Sequence, residues 1–350
     1  MKYKKLNIVI LVLTFVGVLG FVIYKDGWDN LVRMFGMIHP GFLCCAVLFM
    51  ILYWILEGGI LHCVIRAFHS RQKFWYSFRT SMIGQLFNCV TPFASGGQPV
   101  QAYDLVKCGV PLGVASSSLI VKFMIYQVAL TVYSAVVLLF YWRSFAGMVN
   151  GFGWLVFVGF TINFLVMLAL CAVCVFRKFT YRLVTGLVNL LAKVRLVKDK
   201  QKTLEYIDGE LDQFHDSFSA MKLHKGRMAA SFVLSLVQLT VFFLIPYFIL
   251  LAFGIRKVSP LIVISAEAFV VMISSFVPLP GAAGGAEFSF YTFFEPLFPV
   301  GISVNLAMLL WRLITFYFPI LAGMLFMMSS SKSKPESAVS KAAAEADSPI

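Results

Sequence analysis

The chain has few charged residues, and what it lacks excludes most classes of soluble protein. Only 13% of its 350 residues are charged, while 60% are hydrophobic; soluble domains carry about twice that charge. No P-loop, nucleophile elbow or paired-cysteine zinc spacing occurs. The five histidines have no partner at ligand spacing, so we expect no metal and no cofactor. The net charge of +13 comes without a basic and aromatic groove, so we expect no nucleic-acid partner.

Long apolar runs take the place of these missing motifs. A bilayer core requires about 20 apolar residues, and such runs predict full spans at 6–24, 41–61, 115–141, 154–176, 229–253 and 303–328. Lysines precede the first run and no A-x-A cleavage site follows it, which favours an uncleaved anchor. Two further stretches, 77–104 and 260–300, are interrupted by Pro and Gly. The sequence predicts an all-α integral membrane protein with about six transmembrane helices and two re-entrant segments.

The loop over 177–228 sets the orientation. It holds eleven Lys and Arg against six acids, so we expect it to be cytoplasmic. If both broken stretches return to the face they enter from, both termini are cytoplasmic too. If they cross fully, further crossings are needed to keep the loop inside. Apolar residues at spacings of 3 and 4 over 204–221 predict an amphipathic helix on the membrane or the bundle, or a contact with a partner. The composition of residues 329–350 predicts a disordered tail.

An internal repeat is the most informative feature. Pro92, Ala94, Gly96, Gly97 and Tyr103 match Pro280, Ala282, Gly284, Gly285 and Tyr291 without a gap. The two halves, about 41–141 and 229–328, would run in opposite directions within a membrane domain over 1–328. Inverted repeats with interrupted helices are typical of alternating-access transporters, whose substrate lies between the repeats. The Gly pairs either let backbone approach a ligand or allow close helix packing.

Ionisable residues within apolar runs are expensive and need a partner or a purpose. Lys122 and Arg312 follow the matched elements, and we expect both to bind a phosphate. Three glutamates, Glu57, Glu267 and Glu287, either hold a cation or balance these bases. Glu57 also suits an interfacial position. The side chain of Arg79 could extend to the membrane surface. The candidate substrate-binding residues are Gln85, Asn88, Thr91, Ser95, Gly96, Gly97, Tyr103, Lys122, Glu267, Gly284, Gly285, Glu287, Tyr291 and Arg312.

Two motifs carry a resemblance to a known family. Residues 88–99 (NCVTPFASGGQP) and 278–287 (PLPGAAGGAE) resemble the lysylphosphatidylglycerol synthase transmembrane family, also called flippase-like. The resemblance implies movement of a phospholipid, such as aminoacylated phosphatidylglycerol, or a related amphiphile across the plasma membrane. In two-part members an aminoacyl-transferase domain is attached, and 177–228 is too short to be one. The alternatives are a membrane subunit of a phosphatidylglycerol lysyltransferase, which needs a separate lipid-modifying synthase as partner, and a scaffold without transport.

Overall fold

Long apolar helices dominate the computed structural model of this protein. The structure describes residues 27–67, 69, 72–149, 151–193, 224–275, 277–299 and 301–330, with short pieces within 17–25 and 208–220. Five helices in this part are long and apolar enough to cross a membrane: Pro40–Ile65, Leu112–Gly147, Phe152–Val175, Lys225–Ala252 and Val304–Met328. The prediction of an all-α integral membrane protein is confirmed. The predicted span at 6–24 lies largely outside the described residues.

The helices of the described part are labelled here in chain order. They are α1 (Trp28–Met37), α2 (Pro40–Ile65), α3 (Phe74–Val90), α4 (Gly97–Lys107), α5 (Leu112–Met148), α6 (Phe152–Val175), α7 (Arg177–Lys193), α8 (Lys225–Phe243), α9 (Ile245–Ala252), α10 (Pro260–Ser274), α11 (Gly285–Phe294), α12 (Val304–Arg312) and α13 (Phe318–Ser330).

Two of the spans are interrupted within the helix. Helices α8 and α9 meet at Leu244, where Pro246, near the start of α9, has no N–H to donate to the preceding turn. In the last span a π-helical turn over Leu313–Tyr317 separates α12 from α13. Such turns interrupt the regular hydrogen-bond ladder and often lie at functional positions.

The first broken segment folds back on itself as a helical hairpin, called hairpin 1 here. Helix α3 ends at a 3₁₀ turn over Pro92–Ala94, and α4 returns along it. Asp104 near the end of α4 accepts a hydrogen bond from Arg79 Nη2 near the start of α3, at 3.0 Å. Because these two residues lie at the outer ends of the arms, the segment leaves on the side from which it entered. Arg79 is buried in this pair.

The second broken segment, hairpin 2, has the same shape but is closed by aromatic rings. Its arms α10 and α11 join at a turn over Pro280–Ala282. The rings of Phe269 and Phe293 stack across the arms with centroids 5.4 Å apart. Phe145 and Phe152 pack edge-on against Phe269, at 5.3 and 5.1 Å. These four buried rings anchor the arms of hairpin 2 to helices α5 and α6.

The turns of the two hairpins have positive φ at the same two matched positions and contact each other. Phe93 and Ala94 have φ of 54° and 51°, and the matched Gly281 and Ala282 have 61° and 53°. Positive φ is rare for residues with a side chain and costs on the order of 1–3 kcal/mol each. The sequence repeat therefore corresponds to a repeated, strained backbone turn.

The polar loop contains a helix that the hydropathy pattern did not predict. Helix α7 directly follows α6, and Thr180 and Val188 on one side of it are buried. Of the amphipathic helix predicted over 204–221, Phe214 is described and buried, whereas several of its other positions lie outside the described residues. The predicted tail at 329–350 lies almost wholly outside them.

Candidate functional site

A cavity of about 880 Å³ lies beside the meeting turns of the two hairpins. Both repeats contribute to its wall, as does helix α6, which lies between them in the chain. Its lining comprises Tyr53, Glu57, Ile60, Gln85, Asn88, Phe93, Ala94, Ser95, Gln98, Gln101, Leu119, Lys122, Phe123, Tyr126, Gln127, Leu130, Ile162, Asn163, Val166, Ser235, Gln238, Val271, Ser274, Ser275, Val277, Leu279, Gly281 and Ala282. Irregular backbone at membrane depth is tolerated where protein or a wet cavity satisfies its polar groups. The hairpin turns meet that condition here.

An ion pair forms part of the cavity wall. Lys122 on α5 pairs with Glu57 Oε1 on α2, and both side chains are mostly buried. Gln238 Nε2 on α8 donates to the second carboxylate oxygen, Glu57 Oε2, at 2.6 Å. Three helices from both repeats are thus joined around one carboxylate. Glu57 therefore balances the charge of Lys122, which is one of the roles predicted for the glutamates.

Carboxamide side chains supply most of the other polar lining. Five of the chain's eight glutamines and two of its seven asparagines line the cavity. Some of these groups also bond one another: Gln127 Nε2 donates to Asn163 Oδ1, and Asn163 Nδ2 donates to the Gly159 carbonyl at 3.1 Å. Each carboxamide can both donate and accept. The cavity is therefore rich in hydrogen-bonding groups and poor in net charge.

The backbone N–H groups at the turn of hairpin 1 already have partners within the hairpin. Gly96 N donates to Thr91 Oγ1 at 2.8 Å, and Gly97 N donates to Asn88 Oδ1 at 3.0 Å. A Cβ on Gly97 would collide with Asn88 and with the Gly84 carbonyl. The Gly pair therefore allows the two arms to pack closely.

The turn of hairpin 2 is held by the second predicted cation. Gly284 N donates to Glu287 Oε2 at 2.7 Å, while Glu287 Oε1 lies 2.8 Å from Arg312 Nε. Arg312 Nη1 also donates to the Gly281 carbonyl at 3.1 Å. Arg312 thus fastens the turn to the last span just before its π-helical turn. It lies outside the cavity lining, so the structure does not bring Lys122 and Arg312 to one point.

The candidate residues separate into two groups. Gln85, Asn88, Ser95 and Lys122 line the cavity. The others are outside its lining: Thr91, Gly96, Gly97, Tyr103, Glu267, Gly284, Gly285, Glu287, Tyr291 and Arg312. Substrate binding by the residues of both groups stays a prediction.

Three members of the second group differ in their burial. The matched tyrosines, Tyr103 and Tyr291, are 61% and 45% exposed. Glu267 is fully buried and accepts a hydrogen bond from Trp311 Nε1 at 3.1 Å.

Several lining residues were missing from the sequence-based candidates. They are Gln98, Gln101, Gln127, Asn163 and Gln238. A usable signal existed, because carboxamides inside apolar helices usually bond across helices or face a cavity.

Comparison with known proteins agrees with this architecture. Residues 7–323 match the family described as the lysylphosphatidylglycerol synthase TM region. The chain belongs to this family. The match includes both hairpins and every helix that lines the cavity, and it confirms the resemblance seen in the two Pro- and Gly-containing motifs.

A relative that matches this chain has a similar extent. The chain is 27% identical over 296 residues to a UPF0104 membrane protein of Archaeoglobus fulgidus, covering 80% of this chain and 84% of the relative. That name describes a membrane protein and states no activity. The family and its relative therefore support a multi-pass membrane protein.

Proposed function

We propose that this protein moves a lipid between the two leaflets of the membrane. The observation that carries the proposal is the polar cavity beside the meeting turns of two matched hairpins. Substrate sites of transporters built from inverted repeats lie at such a junction, near the middle of the bilayer. A soluble solute would not need an apolar wall, whereas a lipid headgroup in this cavity could leave its acyl chains among apolar surfaces.

The lining supports an amphiphilic substrate. Polar groups from hairpin 1 and α8 face a wall that also contains apolar side chains, such as Phe93, Phe123 and Val166. Ligand sites typically combine a largely apolar lining with a few placed polar groups. The family resemblance also suggests a second function, as the membrane subunit of a lipid-modifying enzyme, with a separate synthase as partner. Both stay proposals.

We place the protein in the plasma membrane with both termini cytoplasmic. The proposal depends on the basic loop over 177–228, since short basic loops remain on the cytoplasmic side. The return of hairpin 1 to its entry side supports it, because the hairpin then adds no crossing between the N-terminus and that loop.

The test is a leaflet-resolved lipid assay on the purified protein in liposomes. Fluorescent lipid in the inner leaflet should become accessible to an external quencher when the protein is present. Ser274→Trp places a large ring at the cavity wall and should slow this movement. Leu139→Trp adds the same ring where the side chain is 81% exposed on the outside of α5, and should leave it unchanged. Equal rates with and without protein, for every lipid tried, would contradict the proposal.

A further inference from the structure

We infer that the cavity recognises the uncharged, hydroxyl-rich part of a lipid headgroup through its carboxamides, and not a phosphate through Lys122. This inference deepens the proposed function and rests on it for the cavity's role in transport. The two sources of such a headgroup are a sugar-bearing lipid and the glycerol of phosphatidylglycerol. Two observations lead to it.

The first observation is the charge balance of the lining. Among the lining residues that the structure describes, Glu57 and Lys122 carry opposite charges and pair with each other. A phosphate placed beside Lys122 would share that single cation with the Glu57 carboxylate. Like charges close together in a poorly solvated site repel strongly. A headgroup part without charge leaves the balance undisturbed.

The second observation is the distribution of the carboxamides around the space. Gln85, Asn88, Gln98 and Gln101 come from hairpin 1, and the other three come from α5, α6 and α8. A hydroxyl group, like a carboxamide, both donates and accepts a hydrogen bond. Carboxamides on several sides of one space therefore match a group that presents several hydroxyls.

The test measures binding directly and needs no transport. Native mass spectrometry of the detergent-purified full chain would compare four lipids with the same acyl chains. Glucosyl diacylglycerol has hydroxyls without phosphate, phosphatidylglycerol has both, phosphatidic acid has phosphate alone, and diacylglycerol has neither sugar nor phosphate. We expect at least one of the two hydroxyl-rich headgroups to bind about tenfold more tightly than phosphatidic acid, as a few extra hydrogen bonds would give. Which of the two binds identifies the source.

Substitutions connect this preference to the cavity. Gln127→Met and Gln85→Met keep the length of the side chain and remove its amide, so each should reduce the preference severalfold. Gln72→Met is the matched control, because Gln72 is buried and bonded to Ser77 Oγ outside the cavity lining. If one of the two cavity variants fails to fold, its size-exclusion profile will show this, and the other cavity variant then decides whether the preference depends on the carboxamides.

Two results would overturn the inference. One is phosphatidic acid binding as tightly as both hydroxyl-rich lipids. The other is a preference that the two cavity variants leave unchanged. A clear preference without movement of any lipid in liposomes would instead contradict the proposed function while leaving the inference in place.

Discussion

Removing the charge of Lys122 should destabilise the protein, and removing Glu57 with it should restore most of the loss. Lys122→Met leaves the Glu57 carboxylate largely buried, with Gln238 as a neutral partner. Breaking a buried pair from one side typically costs about 3–5 kcal/mol. The side chains here retain 11% and 13% exposure at the cavity, so we expect about 3 kcal/mol, the lower end of that range.

The double variant Glu57→Gln with Lys122→Met has no charge left to compensate, so it should lose far less than the two single losses added together. We expect a coupling energy of at least about 2 kcal/mol, within the range for residues in direct contact. The assay is unfolding of purified protein in mixed micelles, followed by the loss of helical circular dichroism. The exposed pair Arg177–Asp212 is the matched control, with side chains 60% and 45% exposed. Its coupling should stay below about 1 kcal/mol.

The rate of lipid transport by the variants distinguishes two roles of Lys122, a structural ion pair with Glu57 and a cation that binds the substrate. If the double variant moves lipid at the wild-type rate while Lys122→Met does not, Lys122 serves the pair and does not bind the headgroup. Additive losses of stability would refute the reasoning about charge balance. A double variant that is stable but does not transport lipid would instead indicate that Lys122 binds the substrate.

Three further predictions follow from the hairpins and the loop. Ala94→Gly and Ala282→Gly should each raise the free energy of unfolding by up to about 1 kcal/mol, because glycine relieves the positive φ; an unchanged midpoint would count against strain at the turns. Gly285→Val should lower stability by about 1–3 kcal/mol through a collision with Val277, and lost transport at unchanged stability would favour a ligand contact instead. A cysteine at Gln201, in a background without other cysteines, should resist labelling from outside intact cells, and labelling there would contradict the inverted-repeat topology.

The interruptions of the hydrophobic pattern are enough to locate both hairpins in the chain. Pro92 and Pro280 with their following Gly pairs mark the turns, since proline ends a helix and a matched spacing recurs in both halves. Local chemistry decides such breaks, so the sequence alone can show them. The same reasoning missed α7, because a helix rich in basic residues has too little apolar character to stand out as a span.

Sequence analysis named glutamates as possible partners of the buried bases, but it could not decide between that pairing and a shared phosphate. Lys122 and Arg312 stand at matched places after the two hairpins, which predicted one shared phosphate. The structure gives Lys122 a carboxylate 65 residues away and gives Arg312 the turn of hairpin 2. A pairing between distant residues depends on which helices pack together, and hydropathy contains no information about that.

What the sequence by itself determined is therefore the membrane class, the five described spans and the internal repeat, because each depends on apolar length or on residues close together in the chain. Only the tertiary structure decided that seven scattered carboxamides line one cavity and that its charge is balanced internally. Gln238 contacts Glu57 across 181 residues of chain. The physical reason is that burial of helices in a bundle, and not their order in the sequence, decides which polar groups share a space without water to satisfy them.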